Sequence, residues 1–176
     1  MDTLQTIATR CSTRSYKPDM ITDDELGTIL LAGNAAPVGR RAYDTLHMTI
    51  IKNRSVLDEI TANYAAIANR QVADPFHGAP LVVLLSASIQ SHVPGVEYCN
   101  AACILENMSL MATELGIGSV YLFGFIPSLN ANPELERKLG IPEHMRAVSC
   151  LCLGYPNEPF KVKDPLQIHV HIDMID

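Results

Sequence analysis

Hydrophobic and polar positions recur with two different periods along the chain. Apolar residues spaced three or four apart predict five helices, at residues 2–10, 23–35, 54–70, 97–115 and 133–139. Short apolar runs predict four strands, at residues 46–52, 81–87, 119–125 and 147–153. Thr22 followed by Glu25 is typical of a capping box and marks the start of the second helix. Helices and strands mixed in this order predict an α/β or α+β layer fold.

The helix predicted at 97–115 is apolar nearly all the way round. Its apolar residues are Ala101, Ala102, Cys103, Ile104, Leu105, Met108, Leu110, Met111 and Ala112. A helix that is apolar on every side is expected to be buried on every side. In a chain of 176 residues, such burial indicates a second subunit.

The C-terminal stretch "PLQIHVHIDMID" alternates with period two. Its apolar positions are Leu166, Ile168, Val170, Ile172 and Met174, and polar residues stand between them. This alternation predicts a half-buried strand. The strand follows a Pro-rich connector, so we expect it to pair with the sheet edge of a second copy. We therefore expect one domain at 1–160, an arm at 161–176 and a homodimer.

Composition narrows the class of protein. Hydrophobic residues make up 48% of the chain and charged residues 18%, which is typical of a globular domain. The apolar runs are shorter than the roughly 18 residues that a membrane span needs. The N-terminal "MDTLQTIATR" lacks the apolar core of a secretory signal, so we expect a cytoplasmic protein without a membrane partner. The net charge of -6 argues against a nucleic-acid partner.

A basic cluster stands out in this acidic chain, at "RCSTR". Arg10 and Arg14 flank Ser12, and two guanidinium forks with a hydroxyl suit a phosphate group. The alternative is a solvated helix end, where the arginines complement the helix dipole, and spacing alone favours this alternative. The pair Lys161 and Lys163 is the other basic cluster in a connector.

The cysteines and histidines give weaker signals. The five cysteines lack the tight spacing of zinc sites, so we expect buried free thiols and no metal. His169 and His171 share one strand face without a third ligand, which favours a surface role. No catalytic triad can be recognised from spacing.

Five segments occur in an order that is more specific than any of them alone. They are "R-x-S-x-R" at 10–14, "ITDDELGTILLAGNAAPVG" at 21–39, "FHGAPLVVLL" at 76–85, "ENMSLMATELGIGSVYLFG" at 106–124 and "LERKLGIPEHMRAVSCLCLGYP" at 135–156. Together they cover nearly the whole chain and resemble the FMN-dependent nitroreductase family. The resemblance implies an α+β fold, a three-layer α/β/α sandwich with a mainly antiparallel sheet. It also implies an intertwined homodimer with C-terminal strand exchange.

The resemblance also implies a set of FMN-binding residues. The first segment would hold the phosphate, the ribityl chain and the ring edge through Arg10, Cys11, Ser12 and Arg14. The late basic pair, Lys161 and Lys163, would add phosphate contacts. A loop from the other subunit would cover the flavin with Pro37, Val38 and Gly39. The loop that approaches N5 and O4 of the ring would contribute Leu122, Phe123 and Gly124.

The chain departs from the family pattern in three places. The span "RRAYDTL" replaces an Asn-x-Gln-Pro-Trp type stretch, so Arg41, Tyr43 or Asp44 must contact the ring. A lysine near N1 and O2 is missing, and its candidate replacements are Gln71, His77 and Arg41. Phe123 stands where the family often has an acidic residue, which predicts a more apolar pocket. The chain also lacks the insertions that form substrate lids, so we expect an open acceptor site.

The resemblance implies an FMN-dependent NAD(P)H oxidoreductase with ping-pong turnover. NAD(P)H would deliver hydride to flavin N5, and a nitroaromatic, a quinone or a similar small molecule would accept it. The flavin carries this chemistry, so no catalytic side chain is expected. Two alternatives stay open: a reductive dehalogenase or flavin-fragmenting relative of the same fold, and a non-catalytic flavin-binding or regulatory protein.

Overall fold

The computed structural model describes residues 1–89, 93–163 and 165–175. Over these residues the chain forms the helices α1 (Thr3–Thr9), α2 (Asp23–Asn34), α3 (Arg54–Ala68), α4 (Val96–Glu114), α5 (Ile126–Asn130) and α6 (Pro133–Lys138). The strands are β1 (Leu46–Ile51), β2 (Leu81–Ser88), β3 (Gly118–Leu122) and β4 (Met145–Gly154). Two short 3-10 turns, Gly39–Arg41 and Tyr43–Thr45, connect α2 to β1.

The four strands form one sheet in the order β1-β2-β4-β3, and every pair is antiparallel. Val83 of β2 lies opposite Ile50 of β1 and Leu151 of β4. The β2–β4 register shifts between Leu85 and Ser86, which is the signature of a bulge that bends the strand pair. The predicted antiparallel sheet is confirmed.

Alternate residues of the central strands enter two separate cores, because successive side chains of a strand point to opposite faces. One core joins Leu84 and Cys152 to α3, α5 and α6 through Leu57, Leu129 and Leu135. The other joins Val83 and Leu151 to α2 and α4 through Ile29, Ile104 and Leu105. The predicted three-layer α/β/α sandwich is therefore confirmed.

The helix caps follow from the sequence. Thr22 Oγ1 accepts a hydrogen bond from Glu25 N at 3.2 Å, and Glu25 Oε2 accepts one from Thr22 N at 2.8 Å. This reciprocal pair is the predicted capping box at the start of α2. At the C-terminal end of α3, Asn69 adopts the left-handed conformation and stops the helix.

The sequence pattern does not predict α5. β3 ends at Leu122 instead of residue 125, and α5 begins only four residues later. Five residues are too few to show a helical period, so the apolar run "YLFGF" looked like a continued strand. Pro127 in the first turn was the one available signal for a helix start.

One face of α4 is exposed in the single chain, so the predicted burial on every side, which depends on a second subunit, stays a prediction. Ile104, Leu105 and Met108 are buried, but a stripe on the opposite side is exposed. This exposed α4 face comprises Tyr98, Cys99, Ala102, Cys103 and Glu106. The five cysteines are free thiols, yet only Cys150 and Cys152 are buried, so the expectation of buried thiols is wrong for Cys99 and Cys103.

The C-terminal stretch is exposed in the single chain. Among the described residues from 165 to 175, none belongs to a strand. Ile168 is 79% exposed and Val170 is 78% exposed. A strand needs a neighbour for its backbone groups, so the predicted exchange with a second copy stays a prediction.

The described residues offer neither a membrane-spanning helix nor a metal cluster. No helix among them is long and apolar enough to cross a membrane. They also contain no group of three or more His, Cys, Asp or Glu side chains able to hold a metal ion.

Candidate functional site

The "RCSTR" segment leaves α1 and runs along the edge strand β3. Thr13 N donates a hydrogen bond to Ser119 O at 2.9 Å, and Ser12 and Ser119 form a parallel bridge. The two backbones approach closely at Gly118, where an added Cβ would lie 2.7 Å from the Thr13 side chain. The edge strand β3 therefore fixes the backbone of the segment that carries Ser12, Arg10 and Arg14.

The buried Tyr16 holds the "RCSTR" segment in place through hydrogen bonds. Tyr16 Oη donates to Thr13 O at 2.9 Å, and Asn157 Nδ2 donates to Tyr16 O at 2.9 Å. Burial is the main cause that raises the pKa of Tyr16 well above its usual range, so the hydroxyl keeps its proton and remains a donor. These bonds tie the "RCSTR" segment to the chain that follows β4.

The distal connector returns to the end of α1. Lys163 N donates to Ala8 O at 2.9 Å, two residues before Arg10. Lys161 lines a cleft of about 370 Å³ together with Cys11, Ser12 and Arg14, which we call the phosphate cleft. The fold therefore joins the two basic clusters that lie at opposite ends of the sequence.

The cations of the two basic clusters are weakly paired. Arg14 and Lys161 line the phosphate cleft, whereas Lys163 lines a separate cleft beside Ala8, and Arg10 lies outside both linings. Arg10 Nε lies 3.5 Å from Glu106 Oε1, and both side chains are partly exposed, which makes this ion pair weak. Among the described residues, Arg14, Lys161 and Lys163 have no ion-pair partner within 4.0 Å. These charges remain available to an external anion.

The donor set of the cleft fits the phosphate of FMN. Guanidinium and ammonium groups form charge-assisted hydrogen bonds with phosphate oxygens, and Ser12 adds a hydroxyl. Thr13 Oγ1, in the same cleft wall, is buried without a hydrogen-bond partner in the described structure. The Thr13 side chain faces Gly118, so this unpaired oxygen belongs to the packing of the segment on β3. Among the described residues, Glu158 is the one carboxylate that lines the cleft.

The loop after α2 docks on the start of α4. Val38 is buried, and Gly39 N donates to Asn100 Oδ1 at 3.0 Å. A Cβ on Gly39 would lie 3.3 Å from Val96, so a larger residue would crowd this contact. Pro37 is exposed. Asn100 therefore fixes the predicted flavin-covering loop.

Two consecutive arginines follow this loop in an unusual backbone conformation. Arg40 has φ 57° and Arg41 has φ 56°, the left-handed region that costs a side-chain-bearing residue about 1–2 kcal/mol. Both side chains are exposed. They line a second cleft, of about 510 Å³, together with Glu97 and Asn100. We call this the arginine cleft.

The loop after β3 carries an aromatic contact to α4. Phe123 is 46% exposed, and its ring lies edge-on to Tyr98 with the centroids 6.2 Å apart. Leu122 is half-buried, Gly124 is exposed, and a Cβ added to Gly124 would meet no atom within 4 Å. This loop therefore presents an open apolar surface beside the first turn of α4.

The predicted contact to the N1–O2 edge is not resolved by the fold of one chain. Gln71 is exposed beyond the end of α3 and lies outside the linings of both clefts. His77 is half-buried with φ 56° in the turn before β2. Both residues therefore stay predicted candidates, as does Arg41, which lines the arginine cleft.

Asp74 holds the turn that contains His77. Its carboxylate accepts from Phe76 N at 3.0 Å, from Gly78 N at 2.9 Å and from Arg54 Nη1 at 2.9 Å. Burial by itself raises the pKa of Asp74, but these hydrogen bonds outweigh it and lower the pKa below its ordinary value. The turn is thus stabilised by the charged carboxylate.

With this geometry established, comparison with known proteins identifies the family. The model of the nitroreductase family matches residues 7–155. The chain belongs to the nitroreductase family. A relative from Archaeoglobus fulgidus, whose name combines NADH dehydrogenase with NAD(P)H nitroreductase, is 32% identical over 88% of this chain and 86% of its own length.

Two further family members carry information about a cofactor or a donor. The NADPH-flavin oxidoreductase of Vibrio harveyi is 26% identical over 96% of this chain and 72% of its own length. The crystal structure of a nitroreductase with bound FMN from Bacteroides fragilis is 28% identical, covers 100% of both chains and superposes with a TM-score of 0.84.

The predicted binding residues of this nitroreductase-family chain fall into separate places. The phosphate cleft contains Cys11, Ser12, Arg14 and Lys161, whereas Gly39 lies in the arginine cleft. The linings of the two clefts share no residue.

Sequence reasoning missed several residues that shape these sites. Thr13 and Tyr16 position the first segment, and Glu97 and Asn100 line the arginine cleft. Asn100 offered one signal, a polar residue in an otherwise apolar helical run. The others are ordinary residues whose roles arise from long-range contacts.

Proposed function

We propose that this chain is an FMN-dependent NAD(P)H oxidoreductase of the nitroreductase type. The observation that carries the proposal is the phosphate cleft, where Arg14 and Lys161 from distant segments meet around Ser12. The FMN bound to the Bacteroides fragilis relative and the activity named for the Vibrio harveyi relative support the same function.

The chain's own residues would bind and orient the cofactor. Arg10, Arg14 and the late lysines would neutralise the phosphate, and Ser12 would donate a hydroxyl hydrogen bond. FMN held there would supply the hydride-transfer chemistry between NAD(P)H and a second substrate. Phe123 and Tyr98 would exclude water from the apolar side of the site. We assign no side chain a catalytic role.

We further infer a homodimer with its sites between the two copies. The exposed α4 face offers Cys99, Ala102 and Cys103 as a surface that a partner could cover. The arm at 161–176 would leave the domain at 1–160 and pair with the partner's sheet. The partner's Pro37–Gly39 loop would then complete the flavin site, consistent with the two separate clefts in one chain.

We propose a small, flat, oxidised acceptor, such as a nitroaromatic or a quinone. The exposed rings of Tyr98 and Phe123 suit a planar substrate, because aromatic faces stack on one another. The five free thiols support a reducing compartment, and we propose the cytoplasm.

Anaerobic mixing tests this function directly. The purified protein should carry the visible absorbance of flavin, and NADPH or NADH should bleach it within seconds. Addition of a nitroaromatic or a quinone should then restore the band. A protein that retains flavin but is bleached by neither nucleotide would be a flavin-binding or regulatory protein instead.

A further inference from the structure

The arginine cleft contains two adjacent cations, Arg40 and Arg41, whereas the proposed flavin site calls on Arg41 alone, as one of several candidate ring contacts. Arg40 and Arg41 are adjacent, exposed and held in left-handed backbone conformations. Among the described residues, neither guanidinium has an ion pair within 4.0 Å. A protein of net charge -6 thus places two unpaired guanidiniums side by side at one cleft.

A second observation concerns Glu97, which lines the same cleft. Glu97 Oε2 is shielded from water and has no hydrogen-bond partner in the described structure. A buried carboxylate oxygen without a donor indicates that a donor arrives with a ligand. Val96 and Ala42 give the remaining wall an apolar character. The cleft therefore combines a dianion site, a hydroxyl acceptor and an apolar surface.

These three features match one chemical class, a nucleoside that carries a phosphate on its ribose. We propose that the arginine cleft binds the adenosine 2′-phosphate end of NADPH and makes the enzyme prefer NADPH to NADH. Arg40 and Arg41 hold the 2′-phosphate, Glu97 accepts from the 3′-hydroxyl, and the adenine lies on Val96. This inference rests on the proposed function, because it names the donor used at the proposed flavin site.

The charges favour a phosphate over a carboxylate-bearing acceptor. A carboxylate occupies one guanidinium fork, whereas a phosphate monoester has three oxygens and a charge near -2, which two adjacent forks match. Asp44 also lines the cleft, but its side chain is exposed and its charge is therefore screened by water. The volume of about 510 Å³ lies within the range of small-molecule sites.

Kinetics with both nucleotides test the preference. We expect Arg40→Gln and Arg41→Gln each to lower the ratio of kcat/KM for NADPH to that for NADH about tenfold, and the double variant to lower it further. Activity of Arg40→Gln with NADH should stay within about twofold of wild type. Because Arg41 is also a candidate ring contact, its variants are judged by the nucleotide ratio and not by the absolute rate. Arg41→Lys should restore part of the ratio, since it keeps the charge but loses the fork.

Arg137→Gln is the matched control, because Arg137 is an exposed arginine on α6, beyond the opposite face of the sheet. It should leave the nucleotide ratio unchanged. Flavin content and melting temperature of each variant report whether it is folded. If folded arginine variants changed kcat/KM equally for both nucleotides, or left both unchanged, the assignment of this cleft would be wrong.

Direct binding separates this inference from the proposed function. The flavin-loaded protein should bind 2′,5′-ADP about tenfold or more tightly than 5′-AMP, and raised ionic strength should reduce the difference. Glu97→Gln should weaken both ligands. Failure of the flavin to be reduced by either nucleotide would overturn the proposed function, whereas reduction with equal affinity for the two adenosine ligands would overturn this inference alone.

Discussion

Lys163 N donates a 2.9 Å hydrogen bond to Ala8 O, which closes the distal connector onto the end of α1. Because Arg10 caps that helix, this bond brings the late basic pair beside the early one. Neither basic cluster by itself indicates a phosphate site, because isolated surface charges are common and interact weakly. The fold makes a phosphate site from two segments that are ordinary in the sequence.

The first prediction concerns the retention of FMN. Arg10→Ala and Arg14→Ala should each raise the Kd for FMN at least tenfold, because each removes a charge-assisted contact to phosphate. The flavin absorbance per protein after gel filtration and a fluorescence titration measure this change. Arg137→Ala, on the distant α6, should keep a full complement of flavin. Equal flavin content in all three variants would contradict the proposed phosphate cleft.

The second prediction concerns the support beneath "RCSTR". Tyr16→Phe should lower the free energy of unfolding by about 1 kcal/mol, because Thr13 O loses its buried donor. FMN affinity should fall as well, since the segment that carries Ser12 becomes looser. Urea denaturation and a flavin titration measure the two effects.

Tyr43→Phe provides the matched control for this change. Tyr43 Oη also donates to a backbone carbonyl, that of Ala36 at 3.2 Å, but the tyrosine is 44% exposed. Water can replace the lost bond there, so the loss of stability should be smaller. Similar losses in the two variants would show that burial of Tyr16 is unimportant.

The third prediction concerns the close approach at Gly118. Gly118→Ala places a Cβ 2.7 Å from the Thr13 side chain, so the segment or the strand must move. We expect a loss of about 1–3 kcal/mol in stability, together with reduced FMN binding. Gly27→Ala, in the middle of α2 with no atom within 4 Å of the added Cβ, should be neutral or stabilising. A Gly118→Ala variant as stable as Gly27→Ala would disprove this packing.

The regular elements could be predicted because local signals agree with the fold. α2 has a capping box and a clear period, and β2 has a continuous apolar run that two cores bury. α5 was missed because five residues carry too little periodicity. The order of the three layers needed the family resemblance, since apolar runs do not specify which strands are neighbours.

The candidate site was predictable only in part, because its geometry depends on tertiary contacts. Spacing suggested a phosphate near Arg10 but favoured a solvated helix end, and the family resemblance decided between them. No local pattern shows that Arg40 and Arg41 adopt positive φ or that Glu97 lines the same cleft. In the sequence, Tyr16 resembles any other core aromatic residue. Its role becomes evident only from the hydrogen bond that its hydroxyl donates to Thr13 O.

The fourth prediction concerns pH and the turn before β2. The pKa of Asp74 is lowered in the folded state, so its charge contributes stability above the unfolded value, and this contribution is lost as pH falls through the folded value. Asp74→Asn should cost about 1–2 kcal/mol at neutral pH. Its difference from wild type should shrink below about pH 4. Urea denaturation across this pH range measures the effect.

Asp58→Asn is the control for this prediction. Asp58 shares Arg54 with Asp74, but its side chain is 60% exposed and that of Asp74 is 30% exposed. Exposed ion pairs contribute little, so the Asp58 variant should lose less stability and show little pH dependence. A pH-independent loss in Asp74→Asn would mean that the amide cannot replace the geometry of the turn, and that charge is not the cause.

The fifth prediction concerns the C-terminal arm. Ile168→Ser with Val170→Ser should weaken the proposed dimer, because these side chains are 79% and 78% exposed in one chain and gain burial only against a partner. Light scattering with gel filtration over a dilution series measures the assembly. His169→Ser with His171→Ser changes the opposite face of the same predicted strand and should leave the dimer intact. Equal weakening by both pairs would argue against a strand with one buried face, and a wild-type protein that is monomeric at all concentrations would refute the exchange itself.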